Sequence, residues 1–434
     1  MKPFRIWIAA ISILILVGCH SSSFKPFQES SLSSDLVEVE EESAQVNELV
    51  IWTHRNVFED SLPEFLDMHP DVDVNIKVID ENILIKEYRQ GMLAGKTPDL
   101  YILPDYALGE FTGISGFENL YEKRYYEESF FDRRPESLLN HYKSEDGTEM
   151  FAIPLLFFPY VTYYRADILS EYGYPSDPLE LSSFINDDEN WLEMAQDLKE
   201  NGHYILDSEH MLLEMLLRTN YFLDEEFEYL GGDEPFVTTF NIVTEVVEKD
   251  LSPYVNIWDE RGREAFQNDE LVMFQMASYV ASHLQEWVPE QNGKWGITTL
   301  PFGLAGVDKQ ASMSIAISEK SQHKDLAWEF AKKMADDMLY IYEHVENDPY
   351  FINPDLKQLY WITLKKEVLG TPQSLDQDIK FIWDVAMKDF HGGKAITSEA
   401  IENINEEIKE RIKYDQRALQ NLLNTKTQEE AKWK

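Results

Sequence analysis

The only cysteine in the chain, Cys19, ends the run Leu16-Val17-Gly18-Cys19. A lone thiol after small and apolar residues suits one reaction, thioether transfer of a diacylglycerol next to a peptidase cut. Lys2 and Arg5 make a short positive leader, and Ile6 to Val17 is apolar except for Ser12. That stretch is shorter than the roughly 20 residues of a membrane span but suits a secretory core. Residues 1–18 therefore read as a lipoprotein signal peptide matching the bacterial lipobox, with Cys19 as the lipidation site. Two acyl chains suffice for stable anchoring. Once Cys19 is lipidated no thiol remains for a disulfide, a thiolate metal site or a nucleophile.

Other residue patterns that carry chemistry are missing. The chain has no H-E-x-x-H, G-x-x-x-x-G-K-[ST], G-x-S-x-G or D-x-D-x-D-G run. The "HGGK" at 391–394 lacks the upstream glycine of a phosphate loop, and "GLAG" lacks the third glycine of a dinucleotide fingerprint. Ten scattered histidines give no zinc spacing. No cofactor or metal is implied. Acidic residues number 80 against 38 basic, a formal charge of −42. So large an excess argues against nucleic acid or anionic lipid as a partner. It could attract a cationic ligand, although a solvated acidic surface is the plainer reading. Carboxylate pairs must also arise by chance at this density, so they are poor support for a glycosidase.

Binding chemistry is better supplied. Sugars are held by aromatic faces against their C–H patches and by carboxylates or amides on their hydroxyls. The chain has ten Trp, 22 Tyr and 24 Phe, most of which must be core. The elements that would position such groups are legible. Residues 19–47 are rich in Ser and Glu without sustained periodicity, and read as a lipidated tether reaching roughly 30 Å. "ELVIWTH" reads as a buried strand, followed by Phe58, Leu62, Phe65, Leu66 and His69 at helical spacing up to Pro70. "DVDVNIKVI" alternates as a second strand, and "LIKEYRQGMLAGKTPDLYIL" gives a helix, a turn and a third strand. Alternating strands and helices imply a parallel sheet with ligands beyond the strands' carboxyl ends. That rule selects Thr53, His54 and Arg55 after the first strand, and Asp105 and Tyr106 after the third. Near the end, Ile401, Ile404, Ile408 and Ile412 lie on one helix face, with Thr397 as its N-cap.

Further stretches continue the order: "FAIPLLFFPYVTYYRADI", "FQNDELVMFQMASYVASHL", "GKWGITTLPFGLAGVDKQASMSIAIS", "HKDLAWEFAKKM" and "GGKAITSEAIENINEEI". Together, behind a lipobox, these pieces resemble the solute-binding lipoproteins of ABC importers, of the maltodextrin and sugar-binding type. The resemblance covers nearly all of the chain after the tether. It implies an α/β, two-lobed periplasmic-binding-protein-like fold of type II. Each lobe would be a mostly parallel sheet flanked by helices, with the ligand cleft at a multi-segment hinge. Lobe 1 would comprise 48–157 and 303–348, and lobe 2 158–302 and 349–434. Hinge crossings are expected near Leu156 to Tyr160, near Leu300 to Phe302 and near Asn347 to Pro354.

By the same resemblance, Thr53, His54 and Arg55 line the cleft and Asp105 bonds sugar hydroxyls. The first hinge contributes Phe158 and Tyr160, where some relatives carry a carboxylate that this sequence lacks. "MFQMASY" stands where the family has M-x-x-x-G-S-W, so Tyr279 takes the place of a stacking Trp. Phe302 and Gly303 come from the "PFGLAG" loop, and Trp383 from the last segment. Two alternatives stay open among these: Trp52 as core packing or ligand stacking, and Asp105 as a local cap or a ligand group. Trp258 and Trp361 are further aromatic candidates. The missing carboxylate and the Trp-to-Tyr change put maltose itself in question.

The function implied is capture of a sugar or oligosaccharide and its delivery to ABC permease subunits. The protein would be a monomer, anchored on the outer face of a Gram-positive membrane, and not an enzyme. An exported glycoside hydrolase and a ligand-sensing partner of a sensor kinase are the alternatives.

Overall fold

The structure, a computed structural model, describes residues 47–433 apart from 145, 235, 345–347 and 354. The signal peptide, Cys19 and nearly all of the tether therefore lie outside the described residues.

Among the described residues, eight strands form two sheets. β1 (Asn47–Thr53) pairs in parallel with β2 (Val72–Val78) and with β3 (Leu100–Pro104). β8 (Met313–Ile317) then pairs antiparallel with both β3 and β4 (Ile153–Leu156), giving the order β2-β1-β3-β8-β4. β3 and β8 are buried throughout, whereas β2, at the edge, keeps alternate side chains exposed. Burial on both faces explains why β3 reads as a continuous apolar run and β2 as an alternation.

Helices cover both faces of this sheet. The helix Leu84–Ala94 buries Leu84, Tyr88 and Gly91 at helical spacing and stops at Gly95, whose φ of 65° is the left-handed C-cap that glycine supplies without strain. On the other face, the helix Lys324–Glu343 places Phe330 against Phe58 and Phe65, with ring centroids 5.3 and 5.0 Å apart. Each such side chain contributes roughly 1.5–3 kcal/mol on burial.

The second sheet has the order β6-β5-β7, with β5 (Tyr160–Arg165), β6 (Met273–Ala277) and β7 (Trp295–Thr298). All three strands are buried, and Tyr163 stacks on Phe274 at 5.0 Å. Two lobes of mixed α/β structure are what the resemblance implies. The strand directions correct one detail: both pairings in the second sheet are antiparallel. Periodicity reports burial and not direction, which depends on where the intervening helices return the chain.

The chain passes between the sheets at Phe157–Pro159. The return runs beside it: Tyr160 N–H donates to Gly306 O at 2.9 Å and Asp308 N–H to Phe158 O at 2.9 Å. Contact between the crossings thus falls at Gly306–Asp308, several residues past the expected Leu300–Phe302. After the helix Lys324–Glu343 the chain rejoins the second sheet where Ile352 N–H donates to Trp295 O at 2.8 Å, with Asn347 and Pro354 outside the described residues.

The long C-terminal helix Ser398–Trp433 buries Ile401, Ile404, Ile408 and Ile412. Thr397 Oγ1 accepts from Ala400 N–H at 3.1 Å, as an N-cap should. No helix among the described residues is long and apolar enough to cross a membrane.

Candidate functional site

A cavity of about 310 Å³ opens between the two lobes. Tyr106, just past β3, reaches it from the first lobe. Arg218, Tyr221 and Phe222, at the end of the helix Glu209–Thr219, meet it from the second, with Trp383 from the helix Asp376–His391. Lys309 and Gln310, on the returning crossing, also line it, as do the charged Glu214, Asp376, Lys380 and Asp384. Aromatic faces converging with a few charged groups are the usual make-up of a small-ligand pocket.

The polar groups form two clusters. Asp308 is fully buried and accepts from Gln310 N–H at 3.0 Å, from an Arg218 amino nitrogen at 3.3 Å and from Tyr279 Oη at 3.5 Å. Burial and then the Asp308 carboxylate push the Tyr279 hydroxyl up to about 12. Lys309 is also buried, donates from Nζ to Asn220 O, and lies 4.1 Å from the centre of the Tyr221 ring. Burial lowers its ammonium to about 8 and raises the nearby Asp376 carboxyl to about 7, so each is held toward its neutral form.

Of the sequence candidates, Tyr106 and Trp383 line this cavity. Trp383 is otherwise core, stacked on Phe240 at 5.6 Å. Tyr279 stands close by through Asp308, and Phe158 packs edge-on against its ring at 5.2 Å. The rest lie elsewhere. Asp105 is buried inside the first lobe, where its Oδ2 accepts from Tyr142 Oη at 2.8 Å, and burial lifts its carboxyl to about 7. Tyr160 is buried with its hydroxyl 3.2 Å from the Met276 sulfur. Phe302 packs on Trp191, in the left-handed region at φ 57°. Trp52 lies between Tyr88 and Tyr101, and a Cβ added at Gly91 would meet its ring at 2.8 Å. Trp52 is therefore packing between sheet and helix.

At the end of β1, Thr53 Oγ1 donates to Arg55 O at 2.6 Å and accepts from Arg55 N–H at 3.1 Å, which shapes the turn. His54 is half-buried with Nδ1 unpartnered, and burial, then Arg55, lowers its pKa. Arg55 is exposed. Trp361 is partly buried against the core. Trp258 lines a separate chamber of about 440 Å³, which shares Glu214 and Arg218 with the first.

Sequence reasoning missed Arg218, Tyr221 and Lys309. A signal existed for two of them: Arg218 is the one basic residue besides His210 in an otherwise acidic and apolar helix, and Lys309 follows the "PFGLAG" loop closely.

Residues 52–338 match a family model described as bacterial extracellular solute-binding protein. Among solved structures, the chain is similar to an extracellular solute-binding protein family 1 structure at 17% identity and TM-score 0.68, covering 84% of this chain and 99% of that one. The sugar-binding protein MalE of Xanthomonas citri aligns at 15% identity and TM-score 0.64, over 86% and 99% of the two chains. The galacto-N-biose-/lacto-N-biose I-binding protein of the Bifidobacterium longum ABC transporter aligns at 14% identity and TM-score 0.63, over 85% and 98%. At these identities the likeness is one of fold. No curated protein matches the chain in sequence.

Proposed function

The chain belongs to the bacterial extracellular solute-binding proteins, and from that premise we propose that it captures a sugar or oligosaccharide between its lobes for an ABC importer. The observation that carries this reading is the interlobe cavity, where Tyr106 of one lobe faces Tyr221, Phe222 and Trp383 of the other. Aromatic rings of this kind cover the C–H faces of sugars, while Arg218, Gln310 and Asp376 offer partners to hydroxyls. Similar folds support it: one is described in complex with lacto-N-biose and another, from Staphylococcus aureus, with maltose.

In this account lobe 1 is 48–157 with 303–348, and lobe 2 is 158–302 with 349–434. Ligand contacts from both lobes exist only when the lobes are closed, so binding itself drives closure. Tyr279, Phe158, His54 and Arg55 are expected to join the ligand on closure. Asp105, Tyr160, Trp52 and Phe302 act by packing beneath them. The protein is a monomer that hands its ligand to permease subunits and does not turn it over. Cys19 holds it to the outer face of a Gram-positive membrane, so Cys19→Ala is expected to abolish fatty-acid labelling, and a still-labelled variant would contradict the anchor.

Equilibrium dialysis against labelled oligosaccharides, with chromatography of the recovered ligand, tests the function. Stoichiometric retention of intact sugar supports it, and release of shorter products would make the protein a hydrolase.

A further inference from the structure

The second chamber, about 440 Å³, is lined by two buried polar side chains that carry unpaired atoms. Asp207 is 3% exposed, with Oδ1 unpaired, and His210 is 4% exposed, with both ring nitrogens unpaired. Glu209 Oε1 lies 3.9 Å from His210 Nε2, beyond hydrogen-bond reach. Buried polar groups are nearly always satisfied, so three such atoms left unpaired on a cavity wall point to an absent partner.

The chamber's charge narrows what that partner is. Glu214 joins Asp207 on its wall, and Glu209 lies alongside. The guanidinium of Arg218 is already shared between Asp308 at 3.3 Å and Glu214 at 3.7 Å. His391 lies with its ring 4.3 Å from that of His210 and its Nε2 3.4 Å from Glu214 Oε1. Burial, and then Glu214 and Glu209, push the Asp207 carboxyl up to about 7, against the pull of neighbouring backbone N–H groups. A cation entering here would relieve that repulsion. Two aromatic rings, Tyr254 and Trp258, also stand on the wall and remain 57% and 43% exposed. Carboxylates beside open aromatic faces are a setting for an ammonium group. A bare metal ion fits less well, because the described residues contain no group of three or more His, Cys, Asp or Glu able to hold one.

We propose that this chamber receives the protonated amine of an amino sugar, so that the ligand spans both cavities with a glucosamine-type unit beside Asp207 and Trp258. The inference rests on the sugar reading of the cleft and names its ligand class. Glu214 and Arg218, common to both cavities, mark where one sugar unit gives way to the next.

Calorimetric titration with three disaccharides of one skeleton tests it at neutral pH: the glucosamine dimer, its N,N′-diacetyl form and cellobiose. The dimer with free amines is expected to bind at least tenfold tighter than either neutral sugar. Asp207→Asn is expected to bring that preference within about threefold, and Glu214→Gln to reduce it, with melting temperatures recorded to confirm folding. Equal affinities for the three sugars, or a preference unchanged in both variants, would overturn the amine while leaving the sugar reading intact. Binding of spermidine with no sugar bound would instead keep the cation chamber and remove the sugar reading. Failure of every amine probe overturns the proposal.

Discussion

Asp105 shows how far a single residue can be read before its neighbours are known. Its place after β3 admitted two roles, a local cap or a hydroxyl acceptor. The structure turns it inward to Tyr142 and gives the cavity to Tyr106. β3 is buried on both sides, so its sequence carries no alternation to tell which of the next two residues faces out. Burial makes a pH signature for Asp105. Its carboxyl lies near 7 in the folded protein against an ordinary 3.8, so between these values the folded state holds the proton more tightly than the unfolded one. Its contribution therefore favours folding at low pH and is lost as pH rises toward 7. Asp105→Asn is expected to gain on the wild type by up to about 1.4 kcal/mol for each pH unit in that window. Melting curves from pH 5 to pH 8 check this, and a constant gap between the proteins would contradict it.

At the scale of elements, strands and helices were legible because their apolar periods survive folding: the isoleucines of the last helix and the alternation of β2 needed no long-range knowledge. The crossings were less so, because their positions depend on which loop atoms meet. Gly306 decides one of them. Its φ is 137°, and a Cβ there would sit 2.6 Å from Thr219 O, on the helix end that also presents Arg218 and Tyr221. Gly303, at φ 73°, has nothing within 4 Å of such a Cβ. Gly306→Ala is therefore expected to cost about 1–3 kcal/mol and to weaken ligand binding with it, whereas Gly303→Ala meets only the backbone penalty of about 1 kcal/mol. Denaturant unfolding of the two variants compares them directly. Equal stabilities would mean that the contact with Thr219 yields without cost.

For the whole molecule, the order of weak matches along the chain was informative where no single motif was, since a two-lobed fold fixes the sequence of its segments. The cavity lining was harder to see. Tyr221, Lys309 and Trp383 meet only after the chain has crossed between lobes, and nothing local distinguishes Tyr221 from a core aromatic. Net charge acts at this scale as well. At −42 the folded chain repels itself, and salt screens such repulsion over about 10 Å at 0.1 M. The melting temperature of the ligand-free protein is expected to rise between 20 and ~300 mM sodium chloride, about a fourfold shortening of the screening length. A flat or falling curve would mean that paired charges, and not the excess, set its stability.

A sugar bound in the cavity would lie between Tyr106 of one lobe and the aromatic cluster of the other. Calorimetric titration of wild type and Tyr106→Ala with a panel of oligosaccharides tests it most directly. One site per chain is expected in the wild type. The variant is expected to lose about 1–3 kcal/mol of binding, the worth of a buried aromatic contact, with little change in ligand-free melting because Tyr106 is only half-buried. Full affinity retained in Tyr106→Ala, with the sugar still bound one to one, would place the ligand elsewhere and contradict the account.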